Sequence, residues 1–245
     1  MGLQQALNTI ATENFRDQAD QDYICARINY RMTFREQFLW AGLQALEKYF
    51  KAILLFNGKS ARWEKPADKK RGEEFGHNLT RLFAAVTQVK ELAVEPPEWF
   101  SQFIKYLETF GFNRYFTFST YVVGDELRKL DESVWAIRRY CLNIHWAPKG
   151  KDICEFIVSG INKPENREKP RKYVPFQGVL ETILKSNQND PARKALIWNN
   201  LFYGNRRSDK VTYSALSTSA IPPHERDWFK SDPELTEIIK NYVKL

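Results

Sequence analysis

Cysteine is scarce in this 245-residue chain. Its three copies, Cys25, Cys141 and Cys154, are odd in number and lack metal-type spacing, so neither a disulfide framework nor a zinc site is indicated. Glycine and proline, 11 of each, are too few for a collagen-like or low-complexity chain. No uncharged apolar run approaches the ~20 residues needed to cross a bilayer. The opening "MGLQQALNTIATENF" has neither the basic start nor the apolar stretch of a secretory signal. Ala6 stands where a myristoylation signal needs Ser or Thr. These absences predict a soluble, cytoplasmic protein with no membrane attachment. A Gly-rich phosphate loop, a paired-histidine metal motif and a Gly-x-Ser-x-Gly elbow are also missing, so the expectation is a protein without metal or cofactor.

What the chain has in quantity is apolar surface and positive charge. Hydrophobic residues make up 43% and aromatics 14%, enough for a substantial core, and the net charge is +7. Both halves are basic, which is compatible with a polyanionic partner such as RNA and equally with a basic protein that binds none. The length fits one domain of ordinary size with a smaller appendage.

Helical periodicity dominates the first half. Apolar residues recur at helical spacing from Ile24 through Leu54, with a break expected near "NYRMTF" and a stop at Asn57-Gly58. "KSARWEKPADKKRGEEFG" reads as an exposed loop. "HNLTRLFAAVTQVKEL" and "EWFSQFIKYLETFG" read as helices separated by Pro96-Pro97, and "FNRYFTFSTYVV" as an extended loop or brief strand. The last helix of this half is expected to start at an Asp125 cap and to continue through "AIRRYCLNIHW" until Pro148 ends it. The boundary therefore falls at residue 148, with 1–148 forming an all-α bundle of four or five helices. Residues 149–245 form a smaller, mostly helical extension in which "QGVLETILKSN", "PARKALIWNNLFYG" and "DPELTEIIKNYVKL" are helical. "INKPENREKPRKYVPF" reads as a linker, and the stretch around Val211–Tyr213 is open to a strand.

The cations in "AIRRYCLNIHW" sit where a packed helix would favour leucine. On a continuous helix Arg138 and His145 lie ~20° from coincidence two turns apart, Arg139 and Asn143 share a neighbouring face, and Arg139 stands ~120° from His145. Histidine suits proton transfer near neutral pH, and the arginine fork suits phosphate. The same cations would also complement a helix C-terminus with no functional role.

Three blocks taken in order resemble the HEPN superfamily of helical-bundle domains, over residues 20–146. "FLWAGLQALEKYFKAILLFNG" is similar to that family's helix with an aliphatic-Glu-Lys segment and a Lys-Ala pair. "GHNLTRLF" is similar to its short His-x-Leu helix start, and "RRYCLNIH" fits its arginine followed by four to six residues and a histidine. The resemblance implies metal-independent RNA cleavage by a prokaryotic toxin or defence effector. His145 would be the general acid or base, Arg139 the phosphate clamp with Arg138 in support, and Asn143 a positioning partner. Tyr140 departs from the polar residue that often follows the arginine. The family also implies a homodimer sharing its active sites and, for some members, an antitoxin or nucleotidyltransferase partner. Its catalytically silent members make a binding module the rival expectation, and RNA binding without chemistry a third. Six further residues are candidate RNA contacts: Arg27, Arg31 and Arg35 as a basic stripe or a solvated face, Arg114 and Tyr115 as an Arg-Tyr pair before the last helix, and His77 beyond the basic loop or as a plain helix start.

Overall fold

The computed structural model describes residues 2–64, 73–111, 125–143, 154–163 and 178–204, with the side chains of 154–157 left aside. Helices α1 (Leu3–Ile10), α2 (Asp17–Arg31), α3 (Arg35–Phe56), α4 (Leu79–Thr87), α5 (Phe100–Gly111) and α6 (Glu126–Arg138) build the bundle. Helices α7 (Cys154–Asn162), α8 (Val179–Lys185) and α9 (Pro191–Ile197) follow. The basic loop contains a small antiparallel hairpin in which β1 (Trp63–Glu64) pairs with β2 (Glu73–Glu74), Trp63 facing Glu74.

Helix α3 is apolar on nearly every side and occupies the centre, its side chains from Phe38 to Phe56 largely buried. The other bundle helices pack around it. One crossing is close enough to require glycine. A Cβ on Gly111 of α5 would stand 3.1 Å from Leu43 Cβ and 3.2 Å from the Leu39 carbonyl. The break near "NYRMTF" falls between α2 and α3, where Thr33 takes a left-handed φ of 61°. Asn78 caps α4 by accepting from Arg81 N at 2.8 Å. Asp190 caps α9 in the same way, ahead of Pro191 in its first turn.

Several expectations change. The chain is already helical from Leu3 and reaches Arg31 through a π-helical turn at Ala11–Arg16; of the apolar side of α1, Leu7 packs against the core while Leu3 and Ile10 stay exposed. Asp125 makes no cap hydrogen bond and instead receives Arg128 and Lys129. Burial opposes its ionisation, but these two cations outweigh burial and lower its pKa. Helix α6 stops at Arg138, and Tyr140 and Cys141 close a turn on the carbonyls of Ile137 and Arg138. The helical spacing expected between Arg139 and Asn143 therefore does not apply. A helix, α7, covers part of the segment around Ile161 that the sequence reading gave to a linker.

The described part of the extension shares the bundle's core. Ile161, Leu180, Ala195 and Leu196 belong to the same apolar cluster as α2, α3 and α6. Residues 178–204 are thus built into the N-terminal half. The expected loop at 112–124, the Pro148 terminus, the strand near Val211 and the last helix lie outside the described residues.

Candidate functional site

The two consecutive arginines at the end of α6 part company. Arg138 turns inward and uses four of its five N–H donors on two carboxylates. Its Nε and Nη2 donate to Asp20 of α2 at 2.6 and 2.8 Å, and its Nη1 and Nη2 to Glu181 of α8 at 2.6 and 2.7 Å. Asp20 also accepts from Tyr49 Oη at 2.7 Å and Leu180 N at 3.2 Å. Burial works against the charge on Arg138, but the pull of Asp20 outweighs it and raises the arginine's pKa well above its usual value. Gly178 belongs to this packing, since a Cβ there would come within 2.7 Å of Arg138 Nη2. Such an arginine ties three helices together, with four of its five N–H donors committed to carboxylates.

Arg139 faces the other way. Its Nε donates to the Trp135 carbonyl at 3.0 Å, and its guanidinium lies 4.7 Å from the Trp135 ring centroid. It lines a cleft of about 340 Å³ with Pro97, Glu132, Trp135, Tyr140 and Phe202. Trp135 and Phe202 are stacked there, 6.2 Å between centroids and 19° between planes. Burial raises the pKa of Glu132 in the same wall, against the lowering influence of Arg128. Asn143 is half-buried beyond the turn. His145, Arg114 and Tyr115 lie outside the described residues.

Arg27, Arg31 and Arg35 do not form a surface stripe. Arg27 is wholly buried: it pairs with Asp131, donates to the Ala195 carbonyl at 2.9 Å, and donates to the Trp198 carbonyl. Asp131 in turn accepts from Tyr23 Oη at 2.6 Å, and Asn200 Nδ2 donates to that hydroxyl at 2.9 Å. Arg31 is exposed and stacks over Trp198 at 4.9 Å. Arg35 belongs to the next helix, beyond the Thr33 turn, where it binds Glu126 and Tyr106. Burial beside Glu126 pushes the Tyr106 phenol far up, so it remains protonated. The four-residue spacing of these arginines was legible, but the buried carboxylate partners of Arg27 and Arg35 come from α6, over 90 positions away.

His77 is better placed than a helix start requires. Its Nδ1 lies 2.9 Å from Oε2 of Glu47, whose other oxygen accepts from Lys51 Nζ at 2.6 Å. The Glu47 side chain is 5% exposed and the His77 side chain 62% exposed, so a nearly buried carboxylate holds a solvent-facing ring. Lys51 also donates to the Gly76 carbonyl at 3.1 Å. Lys48, next in α3, pairs with Asp22 instead. The sequence carried a hint in the helical Glu47–Lys51 spacing, but nothing in it joins Glu47 to a histidine 30 positions later.

Among the described residues no three His, Cys, Asp or Glu side chains are grouped to hold a metal ion, and no helix is long and apolar enough to cross a membrane. Comparison with protein-family models, curated proteins and solved structures finds no significant match.

Proposed function

We propose that this chain is a metal-independent endoribonuclease of the HEPN type, a toxin or defence effector, in which Arg139 rather than Arg138 holds the scissile phosphate. The observation that carries the reading is the division of labour at the end of α6. Arg138 spends four of its five N–H donors on Asp20 and Glu181, whereas Arg139, itself largely buried, lines a cleft beside an aromatic pair against which an unstacked base can lie. His145, six residues on, supplies the proton transfer. In the reaction the 2′-hydroxyl loses its proton to a base and attacks the adjacent phosphorus. The 5′-oxygen leaves with a proton from an acid, giving a 2′,3′-cyclic phosphate and a 5′-hydroxyl end. Arg139 stabilises the phosphorane charge, and Asn143 orients the histidine. A second copy of the chain completes the site across a two-fold axis.

A second reading is a catalytically silent module that docks an antitoxin, a nucleotidyltransferase or another protein. It is favoured by the internal use of Arg138 and by the carboxylate of Glu132 in the cleft wall, which repels phosphate. The two readings separate in one assay. The purified chain is incubated with mixed single-stranded RNA in excess EDTA beside Arg139→Ala and His145→Ala. Cyclic-phosphate ends produced by the parent and lost in both variants support the nuclease. Failure of the parent to cleave any of several RNAs leaves the binding module.

A further inference from the structure

A larger groove, of about 690 Å³, opens on a different part of the molecule between α1, the C-terminal half of α3 and the β1–β2 hairpin. Its volume lies within the range that encloses small molecules. The floor is apolar, formed by Leu3, Leu7 and Ile10 of α1 with Phe15 and Leu55. The rim is charged: among the described residues Lys51, Lys59 and Arg62 line it with Glu74, and His77 closes the same edge. Arg62 reaches Glu74 at 2.8 Å across the hairpin, with its side chain 73% exposed. Glu47 sits behind the rim and outside the groove, orienting His77 and Lys51 together.

We propose that this groove is a binding site for a small phosphate monoester carried on an apolar or aromatic body. The apolar floor takes the body. With Lys51 on Glu47 and Arg62 on Glu74, the described rim keeps a net positive charge, and the several acceptor oxygens of a phosphate can receive Lys51, Lys59 and Arg62 together where a carboxylate offers only two. Arg62 contributes a planar fork and Lys51 a point charge already braced by Glu47 and the Gly76 carbonyl. Glu47 accepts a hydrogen bond from Nδ1–H of His77 as it does from Lys51, so Nε2 is the ring nitrogen offered to the phosphate. A buried carboxylate fixing an exposed histidine is an arrangement that positions a ring for a ligand, and α4, already capped by Asn78, does not require it.

The test is calorimetric titration of the full chain with 1-naphthyl phosphate, beside 1-naphthol and inorganic phosphate. Saturable one-to-one binding of the naphthyl phosphate is expected, at least ~10-fold tighter than either fragment alone. Arg62→Ala and His77→Ala should each weaken it by ~10-fold, and Leu7→Asp should abolish it, while all three keep the parent's helical circular dichroism. Arg62 is exposed enough that its loss leaves folding intact, so a negative result with that variant is decisive. Binding that is absent, or unchanged in both Arg62→Ala and His77→Ala, overturns the proposal. Binding lost in Arg139→Ala but retained in Arg62→Ala also overturns it, because the probe then occupies the other cleft. The RNA assay does not depend on any of these outcomes.

Discussion

Arg138 and Asp20, 118 residues apart, meet through two hydrogen bonds of 2.6 and 2.8 Å where neither side chain reaches solvent appreciably. Glu181 takes the remaining face of the guanidinium. Removing one partner of a buried ion pair strands the other charges in a poor dielectric, which costs more than the pair itself contributes. Arg138→Ala should therefore lower unfolding stability by ~3–5 kcal/mol in urea denaturation. Adding Asp20→Asn and Glu181→Gln to Arg138→Met should recover part of that loss, since no uncompensated charge is left. A loss below ~1 kcal/mol for Arg138→Ala would show that the cluster is hydrated and not buried.

Arg139 should behave in the opposite way. Among its contacts are one hydrogen bond to a carbonyl four residues back and a ring face, so Arg139→Ala is expected to cost ~1–2 kcal/mol, less than Arg138→Ala. Cleavage of single-stranded RNA should nonetheless fall by at least ~100-fold, as befits loss of transition-state charge stabilisation. Stability and cleavage measured on the same preparations separate the two arginines. If Arg139→Ala cleaves as the parent does, Arg139 has no part in catalysis.

The helices of the first half were legible because their signal is local. Apolar period, the Asn57-Gly58 stop and the double proline all act within a few residues, and α3, α4 and α5 fall where they point. The roles of the charged residues were not legible in the same way. Arg27, Arg31 and Arg35 repeat at the helical period of an exposed face, yet Arg27 is among the largest fully buried side chains of the described residues. What buries it is a carboxylate on α6 and two carbonyls beyond residue 190. Pairing over such separations leaves no mark in a periodicity. The end of α6 was hidden for a related reason. The sequence runs on with good helix formers, and the tertiary demand that Arg138 reach Glu181 coincides with the turn that stops the helix.

Asp22 provides a test by pH. Burial raises its carboxyl pKa, and the hydrogen bond and charge of Lys48 only partly offset that. A folded-state pKa above the unfolded value means a contribution to stability that is present below the unfolded pKa and lost as pH rises through the folded one. Asp22→Asn escapes that loss while keeping an acceptor for Lys48. Its stability relative to the parent should therefore improve between pH 3.5 and pH 7, read as the shift in urea midpoint at each pH. A relative stability that falls over the same interval would mean that Lys48 dominates.

Cys141 and Cys25 should differ in reactivity. The Cys141 thiol is buried, donates to the Tyr49 carbonyl at 3.5 Å, and has its pKa pushed far up by burial. Cys25 is exposed on α2. Iodoacetamide at pH 8 should label Cys25 in the native protein and reach Cys141 only as fast as the bundle opens. Peptide mapping by mass spectrometry checks this. Labelling of both at similar rates would place Cys141 in a segment that opens locally.

The relation between the two halves gives the last prediction. The sequence divides the chain at residue 148, and a chain ending before residue 178 would keep every bundle helix. It would also lose Leu180, Ala195 and Leu196 from the core, Glu181 from Arg138, and the carbonyls of Ala195 and Trp198 from Arg27. Arg138 would keep only Asp20 and Arg27 only Asp131, each with guanidinium donors newly unsatisfied, and an apolar face on α2 would meet water. Each defect alone costs ~3 kcal/mol or more, and the sum approaches the whole stability of a domain of this size. A chain of residues 1–177 should consequently show helical circular dichroism without a cooperative thermal transition, and adding residues 178–204 should restore the transition. If the shorter chain instead melts cooperatively within a few degrees of the full one, α8 and α9 only rest on the bundle, and the arginines find their balance in water.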